Sequence, residues 1–521
     1  MGTTPQVEAD PLLEIISPLS GQRERTRQTT PLAELPELVE RARQAQESWA
    51  SQPLKERGRA LLRVVDHLAA HADRYAQHIH RYNGKTVDEA LMSEVYATLA
   101  TFKWFARRGP RHLRPMTVRP AALPFAHSVI HRDPMGVIGV IAPWNYPFKL
   151  MLQDVPAALM AGNAVVIKAS EHSVAIGELV EELFAETSMP KDLVQVIYGF
   201  GAHGQALIDA GIDKVVFTGS TATGRKVYAA AAQRLIPCSL EMGGKDAAIL
   251  LDDADIDDAA RGILWASMSN SGQTCASVEV VHVPQAMRDN FLDRLGGLVR
   301  SLPTGSVGAM NVGFQRDLVN RQVAQALERG ATVVAESNQG DSDHAYRVNP
   351  LVLTDVPRDC DIHCEETFGP VVVVTGYDDV DEVIEEVNGS RYGLTTSLWT
   401  RDRSRGEQLA DRIDSGVVTI NEHMITAGLP EAPWLGHKES GLGLSLSHLS
   451  LHSFTKPRYV YHDRGVVKYK FWRYPFSQHK AAWFRGFMAA EFGGTWWTRT
   501  INKLRALPPM LWRRNEPFER K

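Results

Sequence analysis

The sequence predicts an α/β protein with two doubly wound halves, and three observations carry that expectation. From residue 164 onward short apolar runs alternate with helical patterns: strands at 164–167, 193–198 and 214–217, helices at 173–186 and 203–210. Strands separated by helices of about 8–15 residues read as βαβ units of a largely parallel sheet. The alternation resumes after Leu240, with strands at 247–251, 278–283, 371–377, 395–399 and 416–421 and helices at 256–267 and 286–301. Finally, 521 residues with 44% hydrophobic and 23% charged side chains suffice for several packed domains. Ahead of the alternation, residues 34–49 and 53–82 carry apolar positions three and four apart and read as helices. Residues 125–141 form a β-rich passage.

Charge and cysteine content exclude several classes. Lys and Arg number 57 against 61 Asp and Glu, a net charge of −4, so the chain as a whole is not a nucleic-acid binder. Four cysteines in this length do not make a disulfide scaffold, and a reducing, cytoplasmic setting is expected. Cys360 and Cys364 stand four apart without a second pair at zinc-site spacing, so no metal is expected. The first residues lack a basic region followed by an apolar run, so no targeting segment is expected. No stretch reaches the roughly 18 apolar residues of a membrane span.

Five short segments suggest chemistry. Ser269-Asn-Ser-Gly-Gln-Thr-Cys275 sets a cysteine in a polar, glycine-bearing stretch, where a thiol is better placed to react than in an apolar core. Leu240-Glu-Met-Gly-Gly-Lys245 puts an acid at a strand end with backbone able to pack close, as a general base requires; a surface turn would read the same way. Pro143-Trp-Asn-Tyr-Pro147 holds an Asn in a rigid loop, where its amide could serve an oxyanion or simply satisfy a turn. Lys168-Ala-Ser-Glu171 follows a strand, at the edge where open α/β sheets bind ligands. Phe217-Thr-Gly-Ser-Thr-Ala-Thr-Gly224 is a strand-to-helix turn able to receive a phosphate, though it lacks the GxGxxG spacing.

With EETFGP at 365–370, NGSRYGL at 388–394 and PWLGHKESGLG at 433–443, these segments in this order resemble the aldehyde dehydrogenase superfamily over about residues 10–463. The resemblance implies NAD(P)-dependent oxidation of an aldehyde to a carboxylic acid. Cys275 would attack the aldehyde, and Asn145 with the Cys275 backbone N–H would hold the oxyanion. Glu241 would activate water for thioester hydrolysis. Lys168 and Glu171 would hold the adenosine ribose, and Ser220 the pyrophosphate, with Gly219 and Gly224 shaping the turn. Ile141, Trp144 and Gly201 would lie on the cofactor path, and Glu366 with Phe368 would position the nicotinamide end. The Glu171 carboxylate favours NAD, with NADP open, because it accepts from a free 2′-hydroxyl and repels a 2′-phosphate.

The resemblance also implies a cofactor-binding domain from 1–124 and 142–239, and a catalytic domain from 240–443. A small β oligomerisation element from 125–141 and 444–463 would build a homodimer or homotetramer. Relatives that acylate CoA lack a water-activating acid, so Glu241 argues against that alternative. Cys275, Glu241 and Asn145 together argue against a catalytically silent structural or membrane-docking protein.

Three positions depart from the family pattern. Leu444-Ser445-Leu446 stands where an Arg and a nearby acid or His are usual. Asp154 occupies a frequent Lys position, and Trp434-Leu435 replaces Phe-Gly. The first two put the usual proton route of deacylation in doubt. On the substrate side Tyr146, Lys149, Gln153, Thr274 and Ala276 are expected to flank the tunnel, with Lys149 facing either an acidic aldehyde or solvent.

The charge is unevenly spread. Residues 461–521 carry a net +9 and 5 of the 11 Trp, leaving −13 for the rest. A helix expected from about Gly493, with Trp497, Ile501 and Leu504 on one face, suits a peripheral membrane contact through 464–521. A tail docked on the enzyme or a neighbouring subunit is the competing expectation.

Overall fold

The structure is a computed structural model that describes residues 11–120, 126–339, 346–465, 470, 472–495, 497, 499 and 500. The chain divides into two units, Met1–Leu113 with Asp133–Lys456, and Arg114–Arg132 with Pro457–Lys521. The first unit contains two large sheets. One has six strands in the order Gly441–Leu442, Cys238–Glu241, Lys214–Thr218, Val137–Ile141, Ala164–Ala169, Val194–Tyr198. All are parallel except the two-residue edge at Gly441.

Val137–Ile141 and Ala164–Ala169 are buried along their whole length, which is why they read as unbroken apolar runs rather than alternating ones. The chain winds outward from Val137–Ile141 in both directions, so the order reverses beside that strand. The crevice at the carboxyl ends there is where such sheets bind ligands.

The second sheet has seven strands in the order Thr332–Glu336, Leu351–Thr354, Val371–Tyr377, Val278–Pro284, Asp246–Leu250, Thr395–Trp399, Val417–Ile420, parallel but for the first pair. Helices cover both sheets. Ile256–Met268 starts on Asp255, whose carboxylate accepts from the N–H groups of Asp257 and Asp258, a cap that satisfies otherwise orphaned donors. Trp49, in the helix Leu35–Ala50, donates its indole N–H to the carbonyl of Leu159 at 2.8 Å, tying the helical N-terminal region to the six-stranded sheet's cover.

The structure corrects several expected boundaries. The 125–141 passage is two strands with different partners. Ala126–Pro134 belongs to a three-stranded sheet with Met116–Val118 and Thr455–Asp463, while Val137–Ile141 sits inside the six-stranded sheet. Met135 and Gly136 separate them, and Gly136 takes φ +131°, a turn that the apolar sequence around it disguised. The stretch 444–463 divides as well: the helix Ser447–Ser453 belongs to the first unit, and Thr455–Asp463 to the three-stranded sheet. The boundary at 239/240 cuts the strand Cys238–Glu241, which pairs with Lys214–Thr218.

In the second unit a helix spans Gln478–Phe492, capped by the Ser477 side chain. The expected helix from Gly493 runs mostly outside the described residues, as do Ile501 and Leu504. No helix among the described residues is long and apolar enough to cross a membrane.

Candidate active site

The loops leaving the carboxyl ends of the six-stranded sheet meet the amino ends of the seven-stranded sheet. Asn145 follows Val137–Ile141 and is nearly buried. Its backbone oxygen accepts from the Lys85 ammonium at 3.1 Å and from Asn270 Nδ2 at 2.9 Å. Its side-chain Nδ2 donates to the Gln273 carbonyl at 3.0 Å, two residues before Cys275. Lys85 itself pairs with Glu94 at 2.5 Å, both side chains fully buried. The other Glu94 oxygen accepts from the backbone N–H groups of Phe148 and Lys149, at 2.8 and 3.0 Å. One buried ion pair therefore fixes both ends of the Asn145 loop.

The turn before Cys275 is strained. Asn270, Ser271 and Gly272 take φ of +53°, +55° and +67°, and the first two are conformations that non-glycine residues seldom hold. Asn270 compensates by donating to Gln273 O at 3.1 Å, while Gln273 donates back to Asn270 O at 2.9 Å and accepts from Asn311 N at 2.9 Å. At Gly272 a Cβ would stand 2.0 Å from the Gly369 carbonyl oxygen, so only glycine lets this turn touch the 365–370 loop. Thr274 Oγ1 meets the Tyr146 hydroxyl at 2.7 Å. Burial pushes the Cys275 thiol up to about 12; the nearby Glu241 charge adds to this and Lys149 opposes it. The resting group is thus a thiol that needs a base. Ala276 is fully buried behind it.

Glu241 ends its strand with the carboxyl nearly buried. Gln153 Nε2 donates to Oε2 at 3.2 Å, and Oε1 has no hydrogen-bond partner among the described residues. Burial first, and the Asp154 charge second, push its carboxyl up to about 8. Such a group holds its proton at neutral pH and becomes a base only slightly above it. Lys149 points inward: its ammonium donates to Ala427 O at 2.9 Å and lies close enough to influence both Cys275 and Glu241.

Opposite lies the 365–370 loop. Glu279 accepts from Thr367 N at 3.0 and 2.9 Å and from Phe368 N at 2.9 Å, and is balanced by Lys245 at 2.5 Å. Phe368 sits at φ +53° with its ring edge-on to Trp144, centroids 5.5 Å apart. The Glu366 carboxyl packs where a Cβ on Gly243 would be 2.3 Å away, and Gly244 N donates to it at 3.3 Å. Burial and the Glu279 charge push it up to about 8.

Along the crevice Lys168 Nζ and Glu171 Oε2 pair at 3.2 Å, the lysine buried and the carboxylate partly open. Ser220 caps the helix Thr221–Gln233, its oxygen accepting from Thr223 N at 3.4 Å. Gly219 N donates to Glu241 O at 3.0 Å. A Cβ at Gly224 would meet the Met242 sulfur at 2.3 Å, so glycine keeps that helix against the strand. Gly201 opens the helix Gly201–Asp209 with nothing within 4 Å of its would-be Cβ, and Ile141 is buried at its strand end. An ion pair, a helix N-terminus and facing aromatic rings can hold a ribose, a phosphate and a flat ring in turn.

Asn145, Glu241 and Glu366 thus lie about the Cys275 turn, and Lys168, Glu171, Gly201 and Ser220 follow the carboxyl ends of the six-stranded sheet. The sequence reading missed Lys85, Glu94, Asn270, Gln273 and Glu279, which hold the others. No local pattern marks Lys85, Glu94 and Glu279 as buried charges, and Asn270 and Gln273, inside the 269–275 segment, show their part only through the bonds they make to each other and to Asn145 and Asn311.

The profile of the aldehyde dehydrogenase family matches residues 6–460. The chain belongs to the aldehyde dehydrogenase family. Its relatives include a 4,4'-diapolycopene aldehyde oxidase of Methylomonas, 36% identical over 486 residues, which are 92% of this chain and 91% of that protein. The succinate-semialdehyde dehydrogenase [NADP(+)] of Deinococcus radiodurans is 31% identical, over 88% of this chain and 97% of its own. Among solved structures, an NAD+ complex of aldehyde dehydrogenase from Bacillus cereus superposes with TM-score 0.82 at 30% identity, covering 87% of this chain and 94% of the other.

Proposed function

We propose that the protein oxidises an aldehyde to a carboxylic acid with NAD, or with NADP, by a thioester at Cys275 that water hydrolyses with Glu241 as base. The carrying observation is the meeting of Cys275, Asn145 and Glu241 at one crevice, with Asn145 anchored to the backbone of the cysteine turn. The residues along the crevice fit a dinucleotide: Lys168–Glu171 for a ribose diol, the Ser220 helix start for phosphate, Trp144 and Phe368 for a flat ring. When bound, the nicotinamide supplies the hydride acceptor.

The rest is done by the chain. Ionised Glu241 draws the proton from Cys275, and the thiolate adds to the aldehyde carbon. The oxyanion is held by the Asn145 amide and the Cys275 N–H, donors already fixed before charge develops. Glu241 passes the thiol's proton on to solvent; after hydride loss it takes a proton from water as the water adds to the thioester carbonyl, and the C–S bond breaks to release the acid and the Cys275 thiolate. Lys149 favours the charged forms of both groups.

The test is NADH formation with a panel of aldehydes, with and without CoA. Activity that is independent of CoA is expected. A requirement for CoA, with a thioester product, would replace this reading with the acylating one. The substrate side, with Tyr146, Thr274 and buried Trp434, is aromatic, and the related diapolycopene aldehyde oxidase supports including long apolar aldehydes in the panel.

Homo-oligomerisation is part of the proposal, supported by the exposed strand Thr455–Asp463. A cytoplasmic protein, peripheral at the membrane through residues 464–521, is the second part. It is supported by the net +9 of residues 461–521 and by exposed Tyr474, Phe476 and Phe492. Basic residues with interfacial aromatics bind anionic lipid surfaces. Co-sedimentation with phosphatidylserine-containing vesicles should fall at least several-fold when the chain is truncated after Asp463. Equal binding by both forms removes the membrane contact.

A further inference from the structure

Two carboxyl groups are buried on the hydrolytic side of the site. Asp154 and Glu241 are both nearly inaccessible, and each is pushed up by burial, Asp154 to about 6. Ser445 joins them: its hydroxyl donates to Asp154 Oδ2 at 2.9 Å and faces Glu241 as well. Ser445 cannot drift, because its backbone pairs with Trp434 in both directions, at 2.9 and 2.8 Å.

The charges around the pair are few. Lys214 faces Asp154; its ammonium donates to Ser453 O and Oγ at 3.2 and 2.9 Å and lies 4.6 Å from the centre of the Phe454 ring. Cys238 is the other titratable group near Lys214. Lys149 and Cys275 face Glu241, with Gln153 donating from the adjoining turn. Two neighbouring buried acids resist carrying charge together, so one ionises well before the other. Asp154 has the serine donor and an ammonium of its own, and it ionises first.

We propose that Asp154, fixed by the Ser445 hydroxyl, is a positioning residue for thioester hydrolysis: its buried carboxylate keeps the proton on the neighbouring Glu241 in the resting site and sets the pH at which Glu241 turns into the base. The proposal rests on Glu241 being that base. During hydrolysis Glu241 alone exchanges a proton with the attacking water, forming the C–O bond as the C–S bond breaks. Asp154 stays ionised throughout, held by Ser445. The acid stands at 154, a frequent Lys position, and the cation facing Glu241 comes from Lys149.

The experiment is hydrolysis of 4-nitrophenyl acetate by the full chain, which acylates Cys275 without any cofactor. The burst reports acylation, and the steady rate after it reports deacylation. The wild-type steady rate should rise with pH to a midpoint near 8. Asp154→Asn should move that midpoint down by one unit or more, about tenfold in proton affinity, with KM unchanged. Ser445→Ala removes a hydroxyl that lowers the Glu241 carboxyl and should move the midpoint up, as should Lys149→Met. General damage to the fold would not shift the midpoint in opposite directions.

If Asp154→Asn is poorly folded, Asp154→Ser decides by the same criterion, set against Lys149→Met. An unmoved midpoint in Asp154→Asn, or in Asp154→Ser where that variant replaces it, overturns the proposal while Glu241 remains the base. A pH limb that survives Glu241→Gln overturns the base assignment and this proposal together.

Discussion

Replacing Cys275 with Ala should end aldehyde-dependent NADH formation, a loss on the order of 10⁴-fold or more, since removing a covalent nucleophile removes the whole route. The melting temperature should stay within a few degrees. Cys275 is partly open to solvent, and the turn before it is held by Asn270 and Gln273, not by the thiol. The adjoining Ala276 already fills the core side. Dinucleotide binding, read by quenching of tryptophan fluorescence, should persist, because none of the crevice contacts described above uses the sulfur. Turnover in Cys275→Ala above a hundredth of wild type would sink the mechanism.

Replacing Lys85 with Met should be the most destabilising single change in the site's surroundings. It leaves Glu94 buried without its cation, and breaking one side of a buried pair typically costs about 3–5 kcal/mol. Glu94 also accepts from Phe148 N and Lys149 N, and Lys85 holds Asn145 O, so the loop carrying the oxyanion donor should loosen. Denaturant melts should show the loss in stability, and kcat should fall more than KM changes. Lys85→Met with Glu94→Gln should recover part of the stability, because no bare charge is then left inside. A Lys85→Met protein as stable as its parent would show that the pair is not what supports the loop.

What could be read from the chain follows how locally each feature is written. Ala164–Ala169 and Val371–Tyr377 are apolar runs bounded by polar turns, and they stand out because both faces of their sheets are covered. Cys238–Glu241 has four residues and no periodicity, so this strand was visible only through the acid at its end and the glycines after it. Thr332–Glu336 lies at a sheet edge with mostly exposed side chains, and the N-terminal strand Arg23–Gln28 is polar throughout. Neither has an apolar signal to detect. The crevice residues were legible because their loops are continuous motifs. Lys85, Glu94 and Glu279 were not, because a buried charge and a solvated one look alike until the partner across the fold is known.

The glycine contact between residues 272 and 369 bears on how this chain can vary in length. The reactive turn takes its position from a carbonyl far downstream, not from the residues beside it, so the two ends of the intervening stretch are pinned to one another. Insertions and deletions between those ends, placed in surface connections, leave the meeting point where it is. A single methyl group at 272 does what a long insertion cannot: it separates the half of the crevice that reacts from the half that receives.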